Sequence, residues 1–255
     1  MQESVTKGLL SAVLARRVDR IVKAAIILAA LTSVLALSAC ATLAGHPLTY
    51  SAEPIEGWVV DAANKQPLDG VIVTANWELS NAFGAAVGQM MVMETVTDAN
   101  GRFYFPAWGP KLRPPNSIIK DQDPQLVLFK SGYDFARLQN PVGPLNKASV
   151  RKSAWNGKTI ALKPFEDHLI KRNERVNTSA YARRLAFIKS SLSWAYSRDI
   201  CELKRIPRMA IALHLQEQEF KERGIYSTLP SIDYIFKDDF PDRCGLQKAL
   251  RSYLP

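Results

Sequence analysis

The chain has 255 residues, 47% hydrophobic and 22% charged, with 33 Lys and Arg against 24 Asp and Glu for a formal net charge of +9. That length allows one large domain or two small ones. The basic excess is spread along the chain with no run of five like charges, which argues for solvated surface charge and against a nucleic-acid partner, leaving a milder attraction to anionic lipid headgroups.

Lys7, Arg16, Arg17, Arg20 and Lys23 make the first stretch basic, and residues 24–37 (AAIILAALTSVLAL) follow without a charge. Small residues Ser38 and Ala39 then precede Cys40. A basic start, an apolar core and small residues at a cut site are the layout of a secretory signal. The order Leu37-Ser38-Ala39-Cys40 resembles the bacterial lipobox, whose cysteine receives a diacylglyceryl thioether and becomes the mature N-terminus. The resemblance implies a signal peptide over residues 1–39, lipid attachment at Cys40 and a membrane partner reached through that anchor. Ala41 stands where an aspartate would resemble an inner-membrane retention signal. The expected address is therefore the bacterial envelope, on the periplasmic side of the outer membrane, with inner-membrane anchoring as the alternative. An uncleaved span competes, because residues 24–45 carry no charge and about 20 apolar residues cross a bilayer. Thr42, Gly45 and His46 make a poor second half of such a span.

Residues 40–54 read as a tether, ending in the polar HPLTYSAEP. From Ile55 the texture changes to short β runs separated by turn residues. Strands are predicted over 55–60, 71–77, 90–97, 102–105, 126–130, 133–138 and 159–163, seven in all. Residues 97–101 (TDANG) form a hairpin loop in which Asp98 bonds the turn backbone and Gly101 supplies a positive φ. Short strands with frequent turn signals favour a β-sandwich. Two stretches, 79–89 and 107–123, widen loops that would carry binding functions on a rigid scaffold.

Three blocks arrive in order: Gly57-x-Val59-x-Asp61, then Pro67-Leu68-x-Gly70-Val71-x-Val73, then Thr97-Asp98-x-x-Gly101-x-Phe103-x-Phe105. Together they resemble the carboxypeptidase regulatory-like domain, a module with a transthyretin-like β-sandwich, over residues 55–164. The resemblance implies a non-catalytic module without a cofactor, because the matched positions are turn glycines, a turn aspartate and core apolars.

After Pro164 the pattern turns helical, and residues 165–255 are expected to pack on the sandwich, since a small separate core is marginal. Asn177 or Thr178 can cap a helix whose apolar positions Tyr181, Leu185, Ile188, Leu192 and Ala195 follow the 3.6 period. Pro207 is placed to start a second helix carrying Met209, Leu213 and Phe220, with Gly224 as its stop. A short last helix is expected over 246–253. With Cys40 lipidated, Cys201 and Cys244 remain in an oxidising compartment and are expected to pair.

His214-Leu215-Gln216-Glu217 has the H-x-x-E spacing with which zinc carboxypeptidases begin their metal site. No histidine follows it, so residues 216–219 read as a polar helix face, and no metal is expected. Strand alternation turns Phe103 and Phe105 inward and Trp58, Val60 and Tyr104 outward. Trp58 and Tyr104, with Trp108 in the widened loop, are the candidate binding surface, unless the C-terminal helices cover Trp58 and Tyr104. The expected function is a membrane-anchored, non-catalytic interaction or structural module with a protein or glycan partner in the envelope. The alternative is an accessory factor or hydrolase acting on peptide or cell-wall material.

Overall fold

The computed structural model describes residue 23 and residues 25–27, 46–120, 122–141, 148–164, 186–222, 231–242 and 244–254. The chain divides into two compact units, Met1–His46 and Pro47–Pro255. In the first, Lys23, Ala25, Ile26 and Ile27 are helical; Cys40 and the candidate cleavage site lie outside the described residues. Among the described residues no helix is long and apolar enough to cross a membrane.

The second unit is a β-sandwich followed by helices. Its strands are β1 (Thr49–Ala52), β2 (Ile55–Asp61), β3 (Ile72–Ser80), β4 (Ala86–Val96), β5 (Arg102–Phe105), β6 (Trp108–Leu112), β7 (Ile118–Ile119), β8 (Gln125–Phe129), β9 (Ala136–Leu138), β10 (Val150–Arg151) and β11 (Lys158–Leu162). Three sheets form, ordered β10-β1-β6, β11-β2-β5 and β4-β3-β8-β9, the last with β7 on β3. Eleven described strands replace the seven expected. β1 lies in the expected tether, where Tyr50 is 1% exposed in the core, so residues 49–52 are part of the sandwich. β6 and β7 occupy what reads as a loop, and the register of β1 on β6 explains why. Pairing partners far along the chain make strands of segments too short or too proline-marked to declare themselves.

Alternation places side chains in the first core as expected. Ile55 and Val59 of β2, Phe103 and Phe105 of β5, and Ile160 and Leu162 of β11 meet Val73, Ala75 and Trp77 of β3 and Leu126 and Leu128 of β8. Gly57 permits this closure, because a Cβ there would lie 2.6 Å from the Phe103 ring. The turn at residues 97–101 is not the hairpin loop expected, because β4 pairs with β3 and β5 with β2, so it carries the chain from one sheet to the other; its local chemistry is as expected. Asp98 Oδ1 accepts from the backbone N–H of Asn100 and Arg102, both at 2.9 Å, and Gly101 has φ +70°. Asp61 plays the corresponding part after β2, accepting from Ala63 N–H and from the Tyr133 hydroxyl.

A second core lies on the other face of the five-stranded sheet. Val92 of β4 and Val127 and Phe129 of β8 pack with Ile188, Leu192, Leu203, Met209, Leu213 and Leu246 of the C-terminal segment. Residues 186–191 are helical, a π-helical turn follows at Trp194–Arg198, and a 3-10 turn at Ile200–Arg205. Helix α1 (Pro207–Glu222) starts at its proline as expected, and α2 spans Leu246–Arg251; Asn177, Thr178 and Gly224 lie outside the described residues. The first turn of α1 is capped from the sheet. Glu94 of β4, with its side chain 4% exposed, accepts from the N–H groups of Met209 at 2.8 Å and Arg208 at 3.0 Å. A carboxylate there satisfies two donors that no intrahelical carbonyl can reach and meets the positive end of the helix dipole. Cys201 and Cys244 form a disulfide, with Cα atoms 6.0 Å apart, tying the 3-10 turn to the segment that leads into α2.

Candidate functional site

The three candidate aromatics, Trp58 and Tyr104 from alternation and Trp108 from the widened loop, do not form one surface. Tyr104 is 45% exposed beside the Arg102 guanidinium, which lies 5.8 Å from its ring centre and pairs with Glu56. Trp58 is half-buried on the same sheet, opposite Arg102 in the register. Trp108 is a correction. It is 6% exposed, with its ring edge-on to Trp77 at 5.4 Å, because β6 pairs with β1 and turns the indole into the first core. Nor do the described helices lie over Trp58 and Tyr104. Their apolar stripe is met by Val92, Val127 and Phe129 on the opposite sheet.

His214 and Glu217 share one face of α1, but their partners pull them into separate structural roles. Glu217 Oε2 receives Lys189 Nζ at 2.9 Å, both side chains being only 2–3% exposed. His214 Nδ1 stands 3.2 Å from Asp233 Oδ1 without hydrogen-bond alignment, stacked obliquely on Phe236. Burial lowers the imidazole pKa, against the opposing pull of Asp233 and Glu217. Asp233 is also engaged by Gln218 at 2.6 Å and by Lys221. The expected polar helix face is therefore corrected at Glu217, which is buried at the helix layer's centre. Among the described residues no group of three His, Cys, Asp or Glu is placed to hold a metal ion.

The concave polar feature lies elsewhere, at the end of the five-stranded sheet where the helical layer meets it. A cleft of about 320 Å³ opens there. The sheet contributes Asn76 and Glu78 from β3, Gln125 from β8, and Arg137 and Gln139 from β9; the helical side contributes Ser190, Ser191, Ser193, Trp194 and Arg198. Lys120, Gln122 and Asp123 close it from the loop before β8. Gln125 is fixed at both ends of its amide, donating to Ser191 O at 2.9 Å and accepting from Arg137 Nε at 2.6 Å. Asp123 accepts from the Glu78 N–H at 3.1 Å, yet burial, helped by the nearby Glu78 charge, pushes its carboxyl up to about 7. Asn76 and Trp194 are each 4% exposed, and Asn76 Oδ1 and Trp194 Nε1 have no hydrogen-bond partner.

Of these cleft residues only Lys120, Gln122 and Asp123 fall in a stretch the sequence marks, the widened loop 107–123; none of the others is a sequence candidate. The signal is faint: Gln125 is an amide beside an otherwise apolar strand and Asn76 one polar residue among several in β3, and their convergence depends on β3 and β8 pairing Asn76 with Gln125.

No family model matches the chain, and no curated protein matches it. Among solved structures it is similar to 3-chlorocatechol 1,2-dioxygenase from Rhodococcus opacus, at 16% identity and a TM-score of 0.27 over 46% of this chain and 61% of that one. It is also similar to the shaft pilin SpaA of Lactobacillus rhamnosus GG, at 13% identity and 0.20 over 46% and 47%, and to the Bacillus cereus major pilin subunit BcpA, at 18% and 0.22 over 47% and 31%. The chain thus spans less than two thirds of these proteins.

Proposed function

We propose that this chain is a lipid-anchored, non-catalytic interaction module of the bacterial cell envelope. The observation that carries the reading is the Cys201–Cys244 disulfide. The chain has three cysteines, so that bond leaves Cys40 as the remaining one, just after the apolar run of residues 24–37 and where a lipid would be attached. A structural disulfide also suits a protein exported to an oxidising compartment. The sandwich is read as a transthyretin-like domain of the carboxypeptidase regulatory-like kind. Support comes from the matched blocks, which fall on chain-reversing positions: Asp61 and Asp98 organise turns, and Gly101 adopts a positive φ. The partner is a protein or glycan of the envelope, and the address is the periplasmic side of the outer membrane.

Replacing Cys40 with alanine is expected to abolish incorporation of a radiolabelled fatty acid and to leave the precursor uncleaved. Equal label in wild type and variant would sink the anchor. Co-sedimentation with inner-membrane markers on a sucrose gradient would overturn the outer-membrane address.

A further inference from the structure

We propose that the end of the sandwich at which the chain enters is a membrane-contact surface, seated on a bilayer with anionic headgroups. The two widened loops, residues 79–89 and 107–123, come together there. Arg113 N donates to Leu48 O at 2.8 Å, and the Arg113 side chain donates to Pro47 O and to Ser117 O. Ile118 then pairs with Ser80, at the foot of the β3-β4 hairpin, and Lys120 Nζ donates to Gly84 O in its tip. This end carries Leu48, Phe83 and Leu112 at 72%, 87% and 75% exposed, with Val87 also exposed on the hairpin. Exposed apolar residues scattered singly need no account, but a group gathered at one end marks a contact site.

Two observations point to lipid as the occupant. The first is charge. Residues 46–50, 81–88 and 109–120, which build this end, hold Lys111, Arg113 and Lys120 and no Asp or Glu. The polar contacts of these three cations go to Met91 Sδ and to carbonyl oxygens, with no carboxylate among the described residues in an ion pair with them. Their charge is therefore left for an outside anion. Projecting apolar side chains among unpaired cations match a layer of anionic headgroups over hydrocarbon. The second observation is position. Pro47 and Leu48 are held at this end by Arg113, so the segment towards Cys40 leaves from it. Leu48 lies eight positions after Cys40, and eight extended residues span at most about 29 Å. A lipid on Cys40 would keep this end within that reach of the bilayer. A protein partner would account for the apolar group but not for its place at the exit of the anchor segment.

This inference deepens the membrane part of the proposal above and rests on the anchor at Cys40, and the test reads the two apart. With Cys201 and Cys244 in the disulfide and Cys40 carrying lipid, an introduced cysteine is the free thiol. The full chain is prepared as Phe83→Cys, as Leu112→Cys and, for comparison, as Asp238→Cys, whose side chain is fully exposed after the 3-10 turn Asp233–Phe236. Each is labelled with a fluorophore and reconstituted in vesicles of phosphatidylethanolamine and phosphatidylglycerol that contain nitroxide-labelled acyl chains. Quenching several-fold stronger at positions 83 and 112 than at 238 is expected. It should weaken in a Lys111→Glu background and when phosphatidylcholine replaces phosphatidylglycerol. Quenching at 83 and 112 no stronger than at 238 would overturn the proposal, and so would equal quenching with and without phosphatidylglycerol. Uptake of the thiol label by wild type would show Cys40 to be free and would remove the anchor. The contact is then read in a Cys40→Ala background, where the same pattern of quenching upholds it and its absence overturns it.

Discussion

At position 101 a single methyl group has nowhere to go. Gly101 sits at φ +70°, and a Cβ there would lie 2.3 Å from the carbonyl oxygen of Val59. Gly101→Ala therefore combines a left-handed backbone with a clash against a strand that cannot move. A loss of about 2–4 kcal/mol is expected in urea melts. Asp123 makes the opposite kind of case, in which the residue tolerates its place at a cost that depends on pH. Its carboxyl is raised from the ordinary 3.8 to about 7, first by burial and then by Glu78. The folded state holds a proton that the unfolded state releases, so the contribution of this carboxyl to stability is greatest below about pH 4 and falls as pH rises towards 7. Asp123→Asn should flatten that decline, which on the shift amounts to at most on the order of 4 kcal/mol; parallel stability curves of wild type and variant over this window would count against it. The two residues also differ in legibility. Gly101 announces itself through Thr97-Asp98-x-x-Gly101, a local pattern. Nothing near Asp123 in sequence reveals Glu78, its partner 45 positions away.

For the elements, alternation is legible, and so is its breakdown. β2 and β5 alternate buried and more exposed residues, as their sequences say, because only one face of their sheet meets a core. β8 is buried at all five positions, and its run Leu126-Val127-Leu128-Phe129 has no polar residue to turn towards water. That is the mark of a strand covered on both faces. It points to the sheet on which the helical segment lies, whereas outward Trp58 and Tyr104 point to the wrong one. The short strands β1, β6, β7 and β10 escape notice for a different reason: they exist through pairing with each other and with β3. Helix α1 depends on the sheet as well as covering it, through the Glu94 carboxylate on its first turn. Glu94→Ala would strand the Met209 and Arg208 donors and should cost about 1–2 kcal/mol. Glu94→Gln, which keeps one acceptor, should cost less. Equal stability of the alanine variant in chemical denaturation would show that water replaces the cap.

For the whole molecule, the second core recruits the helical segment to the sandwich, and the Cys201–Cys244 bond limits how far that segment can spread once released. The bond closes a loop with a sequence separation of 43, for which the chain-entropy relation gives about 4 kcal/mol before any native strain. Cys201→Ser with Cys244→Ser should therefore lower the denaturation midpoint markedly, and reductant should do the same to wild type but not to the double variant. Insensitivity of wild type to reductant would show that the pair is not formed in solution. Parity alone pointed to this pairing. The Lys189–Glu217 ion pair at the centre of the same layer was invisible in advance, because its members lie 28 positions apart and each resembles an ordinary solvated charge.

The doubly covered strand β8 also acts as a clock for the molecule. Its backbone pairs with β3 on one side and with β9 on the other, and its side chains are enclosed above by one core and below by the second. No local fluctuation can bring water to the central amides at Val127 and Leu128 without parting both cores. Their deuterium uptake should then be among the slowest in the chain, proceeding only through complete opening. Any change that loosens either layer, at Gly101 on one side or Glu94 on the other, should advance the exchange of this one strand by the factor its full stability loss dictates.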